Sequence, residues 1–152
     1  RIKDNISNLI FYDKIYNFKV IGKLKNYHIL LHVTTGLRTL LPIDLSVNVP
    51  DDQVQAFIYK HDKKNRVLYT SQIEVPKHYV EPSLLDIGSE AVISFSLYNG
   101  VLYPHLRRLT SLFSVKVSNM NIVDDYRAKY RAKIKKKIGD FRYLVEIIDI
   151  IS

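Results

Sequence analysis

From Ile15 onward, apolar and polar positions alternate in short runs separated by turn residues, which is the pattern of half-buried β-strands. Tyr16, Phe18 and Val20 interleave with Asn17 and Lys19 to predict a first strand. Tyr27 to Val33 predicts a second, Leu37 to Leu45 a third, Val54 to Tyr59 a fourth and Arg66 to Ile73 a fifth. Thr34-Thr35-Gly36, Val49-Pro50-Asp51-Asp52 and His61-Asp62-Lys63-Lys64-Asn65 supply the turn chemistry between them. Five short strands in one stretch predict a small barrel. Ahead of them Ile2, Ile6, Leu9 and Ile10 stand at helical spacing, so residues 1–14 read as an extension with a short helix.

Residues 76–90 contain Pro76, Pro82 and Gly88 and read as a linker. A second set of strands follows over 91–152: Ala91 to Tyr98, the Asn99-Gly100 hairpin turn, Val101 to Leu106, Leu112 to Val117, and Phe141 to Ile151 after the Gly139-Asp140 turn. Between them, Tyr126 to Lys135 alternates strictly. As a strand it sends Tyr126, Ala128, Tyr130, Ala132 and Ile134 to one face and Arg127, Lys129, Arg131, Lys133 and Lys135 to the other. Those cations would stand about 6.5–7 Å apart, near the phosphate repeat of one extended nucleic-acid strand. A helix capped by Asp124-Asp125 and ended by Gly139 is the competing reading. A short internal repeat favours the strand. Asp51-Asp52, Gln55 to Lys60, a turn and Arg66 to Tyr69 match Asp124-Asp125, Arg131 to Lys136, a turn and Arg142 to Val145.

Three runs carry a family likeness: Gly36-Leu37-Arg38-Thr39-Leu40-Leu41-Pro42-Ile43-Asp44-Leu45, Val49 to Lys60, and Asp62 to Ser71. Together they resemble the third strand, fourth strand and 4–5 hairpin of the RNA-binding OB-fold of the ribosomal S-one type, over roughly residues 15–73. The resemblance implies an all-β chain, mainly two tandem small OB-like five-stranded β-barrels at 15–75 and 91–152. It also implies RNA binding by stacked aromatics and cations. Asn26 stands where the family has glycine before its stacking aromatic, here Tyr27, and Pro42 where many members have histidine.

Charge sharpens the picture. The chain is 152 residues long with net charge +8, which points to a polyanionic partner. Residues 126–142 hold eight Lys and Arg against Asp140 alone. The candidate nucleic-acid contacts are therefore Lys19, Lys23, Tyr27, Arg38, Tyr59, Lys60, Arg66, Tyr103, Arg107, Arg108, Arg127, Lys129, Arg131, Lys133, Lys135 and Lys137. Tyr27, Tyr59 and Tyr103 are the expected exposed rings. His28 and His32, four apart on a strand, lie about 13 Å from each other, too far to share a metal. Asp51-Asp52 and Asp124-Asp125 read as turn formers.

No phosphate-binding glycine loop or nucleophile elbow is present, so no catalytic residue, metal or cofactor is assigned. The expected partners are RNA or single-stranded DNA, together with other domains of a longer chain. A scaffold domain offering its basic face to an acidic protein is the alternative. No stretch reads as a membrane span, and the absence of cysteine and of a signal peptide fits a reducing, cytoplasmic compartment.

Overall fold

The computed structural model describes residues 13–106 and 114–151, which fall into two units divided between Leu84 and Leu85. The N-terminal helix expected over 1–14 lies almost wholly outside the described residues. No α-helix occurs among those that are described.

The first unit is a closed barrel of β1 (Ile15–Lys23), β2 (Tyr27–His32), β3 (Arg38–Pro42), β4 (Gln53–Asp62) and β5 (Val67–Ser71). They close in the order β1-β2-β3-β5-β4, with β3 and β5 parallel and the other neighbours antiparallel. This is an OB-like Greek-key barrel. Alternation sends Phe18, Leu30, Leu41, Val54, Ala56, Ile58 and Leu68 inward to one buried cluster with Leu37. The third strand is shorter than the sequence suggests, because Ile43–Leu45 coils into a single 3₁₀ turn after Pro42.

Local chemistry sets the turns. In the β4–β5 hairpin, Asp62 accepts bonds from the Asn65 backbone N–H and side-chain amide, and Arg66 follows in the left-handed region at φ 58°. His32 sits in the barrel wall against Tyr16 and Phe18, with ring centroids 5.2 Å away in each case. Its Nδ1 accepts the Thr35 N–H across the turn, so that nitrogen carries no proton. Burial pushes the imidazole pKa down.

The second unit is a five-stranded sheet of β6 (Glu90–Tyr98), β7 (Val101–Leu106), β8 (Ser114–Val117), β9 (Tyr130–Gly139) and β10 (Arg142–Ile150). Its order is β7-β6-β9-β10-β8, with β10 and β8 parallel. Numbered within the unit this is 2-1-4-5-3, the neighbour order of the first barrel with one ladder missing. Where a second closed barrel is expected, no ladder joins β7 to β8 among the described residues. The core side carries Ile93, Val115, Val117, Tyr130, Ala132, Ile134, Tyr143, Val145 and Ile147. Asn99 and Gly100 both take positive φ, as a tight hairpin turn with the right-handed strand twist requires.

The basic stretch is a strand and not a helix, but it begins only at Tyr130. Asp125 is the reason. Its carboxylate takes the Arg127 N–H and its carbonyl takes the Tyr130 hydroxyl, so 126–129 bend into a turn. A second departure lies at Lys135. Ile134 pairs with Val145 and Lys136 with Leu144, which leaves Lys135 as a bulge and turns Lys136 to the outer face.

Phe18 is fully buried at the centre of the barrel cluster. Phe18→Ala is expected to cost the barrel about 3–5 kcal/mol in urea-induced unfolding. A loss below about 1 kcal/mol would mean that the cluster does not carry the barrel.

Candidate nucleic-acid interface

On the outer face of the first barrel, the parity that buries Leu30 and Leu41 turns Tyr27, Ile29, Leu40, Tyr69 and Lys60 outward. Yet Tyr27 and Ile29 are only 1% exposed, and Leu40 0%. The stretch from Pro76 to Ser83 is anchored around this row. Tyr27 donates to the Pro82 carbonyl at 2.7 Å and Asn26 to the Ser83 carbonyl at 3.0 Å. Tyr79 donates to Asp44 at 2.7 Å. Glu81 is gripped at both oxygens, by the Tyr59 hydroxyl at 3.3 Å and the Lys60 ammonium at 3.0 Å. Lys60 also stands 4.9 Å from the Tyr69 ring centroid, and Tyr59 and Tyr69 pack at 6.2 Å. Burial pushes the Tyr27, Tyr59 and Tyr79 hydroxyls far above the ordinary phenol range, aided by nearby phenols and carboxylates at Tyr27 and Tyr59 and by Asp44 and Glu81 at Tyr79.

Two of the three rings expected to be exposed are thus engaged by the chain itself: Tyr27 is buried and Tyr59 half-buried. Alternation gives the face a side chain takes, not what lies over that face. Elsewhere in the barrel Lys19 and Lys23 are exposed on β1, Arg38 is half-buried at the start of β3, and Arg66 is exposed in its turn. Arg38, two residues before Leu40, shares its outward parity, whereas Lys19 and Lys23 lie on β1 and Arg66 in the hairpin turn.

In the second unit, Tyr103 is exposed on β7. Arg107 and Arg108 lie outside the described residues. Arg127 and Lys129 are exposed in the turn before β9, with the Arg127 guanidinium 5.3 Å from the Tyr126 ring. The predicted cation row is partly neutralised along β9. Arg131 forks onto both oxygens of Asp149 and reaches Glu90 at 3.3 Å, and Lys135 lies 3.7 Å from Glu146. The hydrogen bond from Arg131 holds the Asp149 carboxyl below its usual range. Lys133 and Lys137 are exposed, and Lys133 stands in register between Glu90 on β6 and Glu146 on β10.

A second cationic group escapes the sequence reading. Lys136, Leu144 and Lys116 pair in one row across β9, β10 and β8, and Arg142 shares their face two residues before Leu144. Beside them, between β7 and β8, which share no ladder among the described residues, lies a cleft of about 500 Å³. Its walls include Tyr103, Pro104 and His105 from β7 and Ser114, Val115, Lys116, Val117 and Arg142 from the other side, with no acidic residue among those described. Tyr98 and Tyr103 lie diagonally on the outer face of the β6–β7 hairpin, where Ser96 and His105 Nε2 meet at 2.6 Å. Lys116 was hidden as a lone cation in a short strand, and Lys136 by the bulge that reverses its facing. No cluster of three His, Asp or Glu suited to a metal exists among the described residues.

No family model matches the chain, and no curated protein matches it in sequence. Among solved structures it aligns over 90% of its length with Mycoplasma genitalium RNase R, at 10% identity in each case. The apo form gives a TM-score of 0.35 and the complex with ribose-methylated single-stranded RNA 0.36. The chain spans 21% of the length of that enzyme. The likeness is too distant to carry an argument about this chain.

The tyrosine cluster makes a prediction about pH. A phenol whose folded pKa is raised contributes stability that is fully present below its ordinary pKa and is lost as pH rises past it. The first barrel should therefore weaken above about pH 10. Ultraviolet titration should reveal tyrosines that ionise only as the barrel unfolds, and Tyr27→Phe should remove one of them. A single phenol midpoint near 10 with the fold intact would contradict this.

Proposed function

We propose that the chain is a non-catalytic module that binds RNA or single-stranded DNA on the outer face of its second unit. One observation carries the reading: the cleft between β7 and β8 has Tyr103 and His105 on one wall, Lys116 and Arg142 on the other, and no carboxylate among the described residues. Sequence-tolerant single-strand binding needs a cationic path for the backbone beside aromatic faces for bases. Lys116, Arg142 and Lys136 would contact phosphates, and Tyr98 and Tyr103 would stack against bases. The ion-paired Arg131 and Lys135 contribute less, since each already has a carboxylate nearby.

The strand order supports reading the second sheet as an opened counterpart of the first barrel, and so the pair as tandem OB-like repeats of the S-one type. In that reading the cleft falls between the second and third strands of the repeat, the face by which OB barrels hold oligonucleotides. The first barrel has the same face strapped over.

Three phosphate contacts to a single strand predict a salt slope of log affinity near −2. Lys116→Glu with Arg142→Glu should weaken binding of a fluorescent oligouridylate about tenfold or more at low salt, and flatten the slope. Absence of any single-strand binding at low salt, or a double reversal that binds as the parent does, would sink the proposal.

A further inference from the structure

The strap over the first barrel is held in an unusual way. Among the described residues, no backbone-to-backbone hydrogen bond ties 74–84 to the barrel, and Tyr79 N–H bonds only to the Pro76 carbonyl within the strap. Among the described residues its polar anchors use side chains: Asn26, Tyr27, Asp44 with Tyr79, and Tyr59 and Lys60 with Glu81. A strand added to a sheet gains a ladder of main-chain bonds. This segment has none, and two of its five bonds end on one carboxylate. The Lys60–Glu81 pair is partly open to water, at 51% and 24% side-chain exposure, and pairs of that kind contribute little to stability. The strap is thus a cover whose removal breaks no sheet.

What it covers has the composition of a binding surface. Tyr27, Tyr59 and Tyr69 lie under or beside it, and Lys60 stands over the Tyr69 ring. The Glu81 carboxylate presents two oxygens from one centre to a hydroxyl and an ammonium, at 3.3 and 3.0 Å. A phosphodiester presents its two non-bridging oxygens in the same manner, and charge-assisted bonds to either anion are of one kind.

We propose that the face beneath the strap is a second, latent site for single-stranded nucleic acid, in which Glu81 stands where a backbone phosphate binds between Tyr59 and Lys60. The strap and the polynucleotide then compete, and only one of them occupies the rings at a time. This rests on the nucleic-acid reading of the chain, although it concerns a different surface from the β7–β8 cleft.

The test measures oligouridylate binding by fluorescence anisotropy in the full chain carrying Lys116→Glu and Arg142→Glu, which silences the cleft. Adding Glu81→Ala should tighten binding about fivefold, as expected for release of one partly exposed ion pair. Adding Lys60→Ala should remove that gain. Tyr79→Phe, which frees the strap at another anchor without changing charge, should give a smaller gain in the same direction. In the parent protein, saturating oligonucleotide should speed tryptic cleavage after Lys77, an exposed strap residue.

If the parent binds through the cleft while neither Glu81→Ala nor Tyr79→Phe changes affinity, and cleavage after Lys77 is unaltered, the latent site is overturned and the cleft reading stands. If the parent does not bind but Glu81→Ala does, the cleft reading falls and the latent site stands. If neither binds, both fall.

Discussion

The parallel pairing of β3 with β5 is the contact on which the first barrel depends. Only three residue pairs make the ladder, Arg38 with Val67, Thr39 with Leu68 and Leu40 with Tyr69. One side-chain and one main-chain bond extend it: Thr70 Oγ1 donates to the Leu40 carbonyl at 3.0 Å, and the Gln72 backbone N–H donates to the Leu45 carbonyl at 2.9 Å. Gln72 then spends its whole amide on the neighbouring loop and β4, with bonds to the Val47 and Asn48 N–H groups and the Asn48 and Gln55 carbonyls. Without this closure the inward row of β2 and β3 would have no facing wall. The outer row would lose the flat platform on which the strap lies.

The second unit repeats the parallel relation, with β8 against β10, but among the described residues not the ladder that would complete the ring. That difference separates the two outer faces. In the first unit the strap sets the Glu81 carboxylate against Lys60 and Tyr59 and the Pro82 carbonyl against Tyr27. In the second, Tyr103 and His105 stand across a largely apolar cleft from Lys116 and Arg142. The charge that composition reports as a single excess is divided by the sheet: Glu90, Glu146 and Asp149 neutralise one end of β9, while Lys116, Lys136 and Arg142 form a group with no acid in their rows.

Much of the strand content was legible because period-two alternation is a local property. Phe18, Leu30, Val54 and Leu68 could be assigned to the inside from neighbours in sequence. The Asn99-Gly100 turn could be placed from its chemistry alone. What alternation cannot register is an inserted residue or a cover. The bulge at Lys135 reverses the facing of Lys136, and the Asp125 turn delays β9 by four residues. Tyr27 faces outward as its spacing implies, yet side-chain bonds to a segment more than fifty residues later bury it. Those bonds leave no periodic trace in Pro76 to Ser83. The resemblance and the short internal repeat bear on the order of the strands in the second unit, and neither registers whether the last ladder forms.

The β6–β7 hairpin has a colloidal consequence. From Ala91 to Leu106 the chain contains no Asp, Glu, Lys or Arg, and Leu97, Tyr98, Val101 and Tyr103 are exposed. A sheet margin of this kind is a template on which another extended chain can pair and begin an aggregate. Proteins blunt such margins with charge, with shortness or with proline. Charge is absent here, which leaves the six-residue length of β7 and Pro104, the one residue in it without an N–H to offer. A strand added along β7 would therefore meet one position, beside the cleft, that gives it no main-chain donor.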